Sequence, residues 1–147
     1  MDSHHPNIAV LYQTMRGNTQ KAAEATGSLL ADLGARVSVR PVDRYDIKEM
    51  AQADIILLGT WTDGFVLAGQ RPGQLGKFKQ LPTLEGKRVG VFTTCKFWPG
   101  SSVSKFANWA EFEGAQVIAS HGWKSSALQE GAEELAKLVW AGVPVAN

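Results

Sequence analysis

Apolar residues fall in short runs along this chain, separated by stretches whose apolar positions recur at helical spacing. Ile8 to Tyr12 is one such run, of strand length, and Gln20 to Leu33 reads as a helix closed by Gly34. Val37 to Val42 alternates apolar with polar residues and predicts a second strand. Asp46 to Ala51 predicts a short helix. Ile55 to Leu58 is continuously apolar, as suits a central parallel strand covered on both faces. A glycine-rich loop is expected from Gly59 to about Gly73, and a helix from Pro72 to about Gln80. Arg88 to Thr93 predicts the fourth strand, Val103 to Glu113 the next helix, and Gln116 to His121 the fifth strand. The last helix is expected after Ser125 or Ser126, where Ser126 and Gln129 have capping-box spacing. Its Leu128, Leu135 and Val139 share one face, with Leu138 beside them.

Five strands alternating with helices predict an α/β fold, a parallel sheet wound on both sides. Ligands of such sheets sit beyond the carboxyl ends of the strands, near the switch point. The loops after the first, third and fourth strands therefore carry the candidate chemistry.

Composition narrows the choice. A chain of 147 residues with 44% hydrophobic and 20% charged residues predicts one soluble domain spanning 1–147, with residues 1–6 as a flexible tail. A net charge of +1, without any long run of like charge, gives no support to a nucleic-acid or membrane-surface partner. The opening "MDSHHPN" lacks the pattern of a secretory signal, and the longest apolar runs are far too short to span a bilayer. Cys95, the single cysteine, excludes an internal disulfide and fits a reducing, cytoplasmic setting. His4 and His5 read as part of the solvated end rather than as metal ligands.

The loop after strand one, "TMRGNT", runs from Thr14 through Met15, Arg16, Gly17 and Asn18 to Thr19. It lies where a helix begins, and helix N-termini present unpaired N–H groups and a partial positive charge. Gly17 lets the backbone approach a ligand closely, and the hydroxyls of Thr14 and Thr19 can donate to oxygen. Together these describe a phosphate cradle. The alternative is that Asn18 or Thr19 only caps the helix. The loop is neither a Walker sequence nor a G-x-G-x-x-G turn.

The same residues resemble the phosphate loop of the flavodoxins, Thr/Ser-x-Thr/Ser-Gly-Asn-Thr. Thr14, Gly17, Asn18 and Thr19 match, and Arg16 stands where the family has a small hydroxyl residue. The resemblance implies a three-layer sandwich with a five-stranded sheet of order 2-1-3-4-5, of the short-chain type, binding flavin mononucleotide (FMN). A response-regulator receiver, the other five-strand candidate, needs acidic residues after strand one, and none is present.

The resemblance also assigns the other two loops. After strand three, Gly59 and Thr62 fit a Gly-x-x-Thr frame, with Asp63 at the family's aromatic position; in a shifted frame Thr60 and Trp61 form the threonine–aromatic pair. Trp61 or Phe65 then provides the stacking surface, and Trp61 is read as a loop residue in ligand contact. The Asp63–Gly64 peptide would be the unit that flips on reduction to accept a hydrogen bond from the neutral semiquinone. After strand four, Thr94, Cys95 and Lys96 would lie along the ring edge, and Trp98, or else Phe97, on its outer face. Cys95 is expected to be structural or a backbone donor rather than a nucleophile. Lys96 is expected to favour the anionic, fully reduced flavin. Trp109 and Trp140 fall on helices as packing residues, and Trp123 on a loop.

The leading expectation is a one-electron shuttle between redox partner proteins, a flavoprotein reductase or ferredoxin-type donor and an acceptor enzyme. Flavodoxins that dock on basic reductases are strongly acidic, so this chain needs a different partner or a more apolar docking surface. The alternatives are an FMN-dependent NAD(P)H or quinone reductase, and a domain of this fold that has lost FMN and binds a protein.

Overall fold

Parallel strands need both faces covered, and the apolar runs supply residues to both. The computed structural model describes residues 5–63, 71–73, 75–97 and 100–143. In chain order its elements are β1 (Asn7–Tyr12), α1 (Asn18–Asp32), β2 (Arg36–Pro41), α2 (Ile47–Gln52), β3 (Ile55–Asp63) and β4 (Arg71–Pro72). There follow α3 (Leu75–Phe78), β5 (Arg88–Cys95), α4 (Ser102–Phe112), β6 (Gln116–Lys124) and α5 (Leu128–Ala141). The five long strands are parallel in the order β2-β1-β3-β5-β6, which is the expected 2-1-3-4-5. The two-residue β4 pairs antiparallel with the end of β3.

Alternation along the strands divides the core in two. Ile8, Val10, Tyr12, Ile55 and Leu57 face α1 and α5, whose Leu30, Leu135 and Val139 are fully buried against them. Leu11, Ile56, Leu58, Val89 and Val91 face the other way, onto Met50 of α2, Phe78 of α3 and Phe106 of α4. At Val89/Gly90 the register of β5 against β6 slips by one residue, so Ile118 and Ala119 of β6 both turn to the α1/α5 side.

Two rings fill the space beyond Gly59. A Cβ at Gly59 would lie 2.0 Å from Phe92 Cζ. Phe92 stacks on Trp123 with ring centroids 5.6 Å apart, and a Cβ on Gly131 of α5 would lie 2.2 Å from Trp123 Cγ. Trp123 is thus a buried strand residue, not a loop residue, because β6 continues past His121 to Lys124 beside the lengthened β5. Trp109 packs with Phe78 and Phe106, and Trp140 against the α1/α5 core, as read from the sequence.

Other expectations are corrected. β3 does not end at Leu58: Thr60 and Trp61 stay in register with Thr93 and Thr94 of β5. The helix expected from Pro72 to Gln80 is confined to Leu75–Phe78, since Arg71 and Pro72 are drawn into a strand against Thr62 and Asp63. Ser126 and Gln129 form no capping box; Ala127 occupies the cap position, and Gln129 donates to Glu133. Of the supposed tail, Pro6 is buried and its carbonyl accepts from Arg36 N–H at 2.8 Å, while a ring nitrogen of His5 lies 2.9 Å from the Gly34 carbonyl. His4 lies outside the described residues. No helix among those described is long and apolar enough to cross a membrane.

Because Phe92 is held between Gly59 and Trp123, it cannot withdraw from an added methyl group. Gly59→Ala is expected to destabilise the fold by about 1–3 kcal/mol, the usual range for overpacking. Urea unfolding with an unchanged midpoint would refute this.

Candidate functional site

At the carboxyl edge of the sheet the loops after β1, β5 and β6 close around a cavity of about 450 Å³ with the end of β3. That volume suits a small organic ligand.

One side is the loop into α1. Gly17 takes the left-handed conformation, φ 90°, directly before the helix, and no heavy atom outside its immediate chain lies within 4 Å of where its Cβ would be. A side chain is strained at this φ, whereas glycine is not. No side chain caps α1, so the cap reading of Asn18 and Thr19 is not what folds. The first-turn N–H groups therefore face the cavity end without an intrahelical acceptor. Gly17 N–H donates to Thr14 Oγ1 at 2.9 Å, leaving the Thr14 hydroxyl hydrogen to point elsewhere. Thr19 is buried, and its Oγ1 lies 2.9 Å from Thr94 Oγ1, tying α1 to the end of β5. Met15, Arg16 and Asn18 complete this side, and Met15 and Arg16 are exposed.

The opposite walls come from β3 and β5. Trp61 and Thr62 line the cavity; Thr60 does not, because its hydroxyl donates into the core, to the Gly73 carbonyl at 2.8 Å. Trp61 belongs to a strand and is half-buried: a Cβ on Gly73 would meet its ring at 2.2 Å. It packs on backbone and lines the cavity at once. Asp63 closes β3 in register with Arg71, and its side chain, Gly64, Phe65 and Trp98 lie outside the described residues. The peptide proposed to flip is among them.

Beneath these walls, Ser102 Oγ at the start of α4 lies 2.8 Å from Thr62 Oγ1 and 3.0 Å from Thr93 Oγ1. Thr94, Cys95 and Lys96 all line the cavity. The Cys95 thiol donates to the Trp123 carbonyl at 3.4 Å, and burial pushes its pKa up against the smaller pull of Lys124. A protonated, buried thiol is a poor nucleophile, in keeping with the structural reading. Phe97 is 64% exposed beside the cavity rather than within it, and Lys96 Nζ sits 5.6 Å above its ring.

Ser125 and Ser126 also line the cavity and were not anticipated. Ser125 Oγ donates to the Cys95 carbonyl at 3.1 Å. Their signal was available: they follow the fifth parallel strand at the same carboxyl edge. Among the described lining residues the charged side chains are Arg16 and Lys96, both cationic.

The same arrangement of sheet and helices occurs in solved proteins. A flavodoxin of Megasphaera elsdenii in its two-electron reduced form is 24% identical, over 89% of this chain and 96% of its own, with a TM-score of 0.73. Flavodoxin 2 of Bacillus cereus is 20% identical over 92% and 99%, also at 0.73. A flavodoxin from the Archaea is 18% identical over 89% and 92%, at 0.71. No curated protein matches the sequence. The sequence profile of the flavodoxin domain matches residues 9–116, from β1 to the first residue of β6, and so takes in the β1 loop and the walls at β3 and β5. The chain belongs to the flavodoxin domain family.

Proposed function

We propose that this protein binds FMN at the carboxyl edge of its sheet and carries single electrons between redox proteins of the cytoplasm. The observation that carries the reading is the uncapped N-terminus of α1 behind a left-handed Gly17, opening on a cavity lined by cations but by no described carboxylate. Backbone N–H groups so placed hold a phosphate through charge-assisted bonds worth about 1.5–3 kcal/mol each. Thr14, oriented by Gly17 N–H, adds a hydroxyl, and Arg16 adds a charge at the mouth.

The remaining walls suit a flat ring. Trp61 is braced on Gly73 and offers an aromatic surface, while Thr94, Cys95 and Lys96 present the end of β5. FMN would supply the one-electron chemistry, and the chain binds, orients and tunes it. Lys96 favours added negative charge on a ligand beside it. The partners on this reading are a flavoprotein reductase or ferredoxin-type donor and an acceptor enzyme.

A visible spectrum of the purified protein with added FMN, followed by stepwise photoreduction, tests the proposal. Flavin bands shifted by binding, with a half-reduced form accumulating midway, are expected. Failure to bind FMN would sink the reading, and direct passage to full reduction would favour a two-electron reductase.

Gly17→Ala separates the cradle from the rest of the site. A left-handed alanine is strained by about 1–2 kcal/mol, so FMN affinity should fall about tenfold by fluorescence quenching. Riboflavin, which lacks the phosphate, should bind both proteins equally; an equal loss for the two ligands would contradict a phosphate cradle. Lys96→Glu should shift the last one-electron potential more negative by tens of millivolts, less at high salt because Lys96 is exposed. A potentiometric titration without that shift would remove Lys96 from the tuning role.

A further inference from the structure

The lip of the cavity has a sign. Arg16 follows β1, Lys96 follows β5, and Lys124, exposed at the end of β6 and in register with Cys95, precedes Ser125 in the cavity wall. The acid in these segments is Asp63 at the end of β3, whose side chain is not among those described. The sequence from 64 to 70 carries no ionisable side chain, and neither do Trp98 and Pro99. Three cations, Arg16, Lys96 and Lys124, therefore stand in the described segments that meet at the opening. The same segments carry two large apolar side chains, Met15 on the cavity wall and Phe97 next to Lys96, each 64% exposed. Exposed apolar residues within a charged rim are the usual anatomy of a transient protein interface.

We infer that this lip is the docking face for an acidic redox protein, one that surrounds its own exposed redox centre with carboxylates. The inference rests on the proposed FMN site, since it assigns the partner that the bound flavin would serve. Charge complementarity selects the partner: carboxylates meet Arg16, Lys96 and Lys124, while a basic protein is repelled from the same opening. Met15 and Phe97 then supply the dry contact at the centre. Attraction of this kind raises association rates at low ionic strength and fades as salt screens it.

Cytochrome c is a suitable pair of probes, native with its lysine-rich haem edge and succinylated with carboxylates in place of those lysines. The FMN-loaded protein is photoreduced fully and mixed with each ferric form; each haem iron takes one electron and becomes ferrous, and the flavin loses one. At about 10 mM ionic strength the succinylated form should be reduced about tenfold faster than the native form, and the preference should shrink towards parity near 500 mM. Lys124→Glu, at an exposed position outside the cavity lining, should cut the preference several-fold, and Lys124→Gln by less. Bound flavin with equal rates, or with the native form faster at low salt, overturns the docking inference and leaves the FMN reading standing. Absence of bound flavin overturns both.

Discussion

The hydroxyl of Ser102 is wholly buried and shared by Thr62 and Thr93, and the shape of the site depends on that junction. A serine hydroxyl can donate once and accept twice, so it can satisfy both neighbours. A buried hydroxyl left without a partner costs about 1–3 kcal/mol. Meeting that demand holds the end of β3, the end of β5 and the start of α4 in one fixed relation. Thr19 with Thr94, and Thr60 with the Gly73 carbonyl, repeat the device on either side. These bonds let β3 and β5 continue as strands beyond their apolar stretches, and the continuation is what raises the cavity walls.

That layer explains which features could be read in advance. The strand order and the glycine turn from Thr14 into α1 follow from local residue types: an apolar run, a glycine, hydroxyls and a helix start. The extension of β3 through Asp63 does not, because "GTWTD" reads as a loop when its backbone partners are unknown. Those partners are tertiary, β5 on one side and β4 on the other. The slip of register at Val89/Gly90 is likewise invisible locally, yet it places Ile118 and Ala119 on the same face and accompanies the burial of Trp123. Ser126 and Gln129 had the spacing of a capping box, but a single 3-10 turn at Ser125–Ala127 intervenes and Ser125 turns instead to the Cys95 carbonyl. Local propensity lost to a long-range bond.

Trp61 packs within the fold and lines the cavity with the same ring. Its ring rests on Gly73, where no side chain could stand, and the close contact immobilises it without burying it fully. A ring that is already fixed loses little conformational freedom when a flat ligand stacks on it. Packing on one side is therefore what would make the tryptophan effective on the other. Cys95 has the converse arrangement: it lines the same cavity, but its thiol is committed to the Trp123 carbonyl and kept protonated by burial. Its polarity is spent on holding β5 to β6.

If the lip docks an acidic partner, net charge is a poor guide to partners for a related reason. A total of +1 describes the chain as a whole. A docking protein senses charges within about a Debye length, roughly 8 Å at physiological salt. Over that range Arg16, Lys96 and Lys124 matter, and acids on distant helices are screened. The near-neutral whole and the cationic lip are therefore compatible. On the proposed reading the cations would also act inward, on the anionic group of the ligand, so one cluster would serve both ligand retention and partner choice. Neither role needs a strongly charged protein; each needs only that the local sign be kept where three loops of the sheet converge.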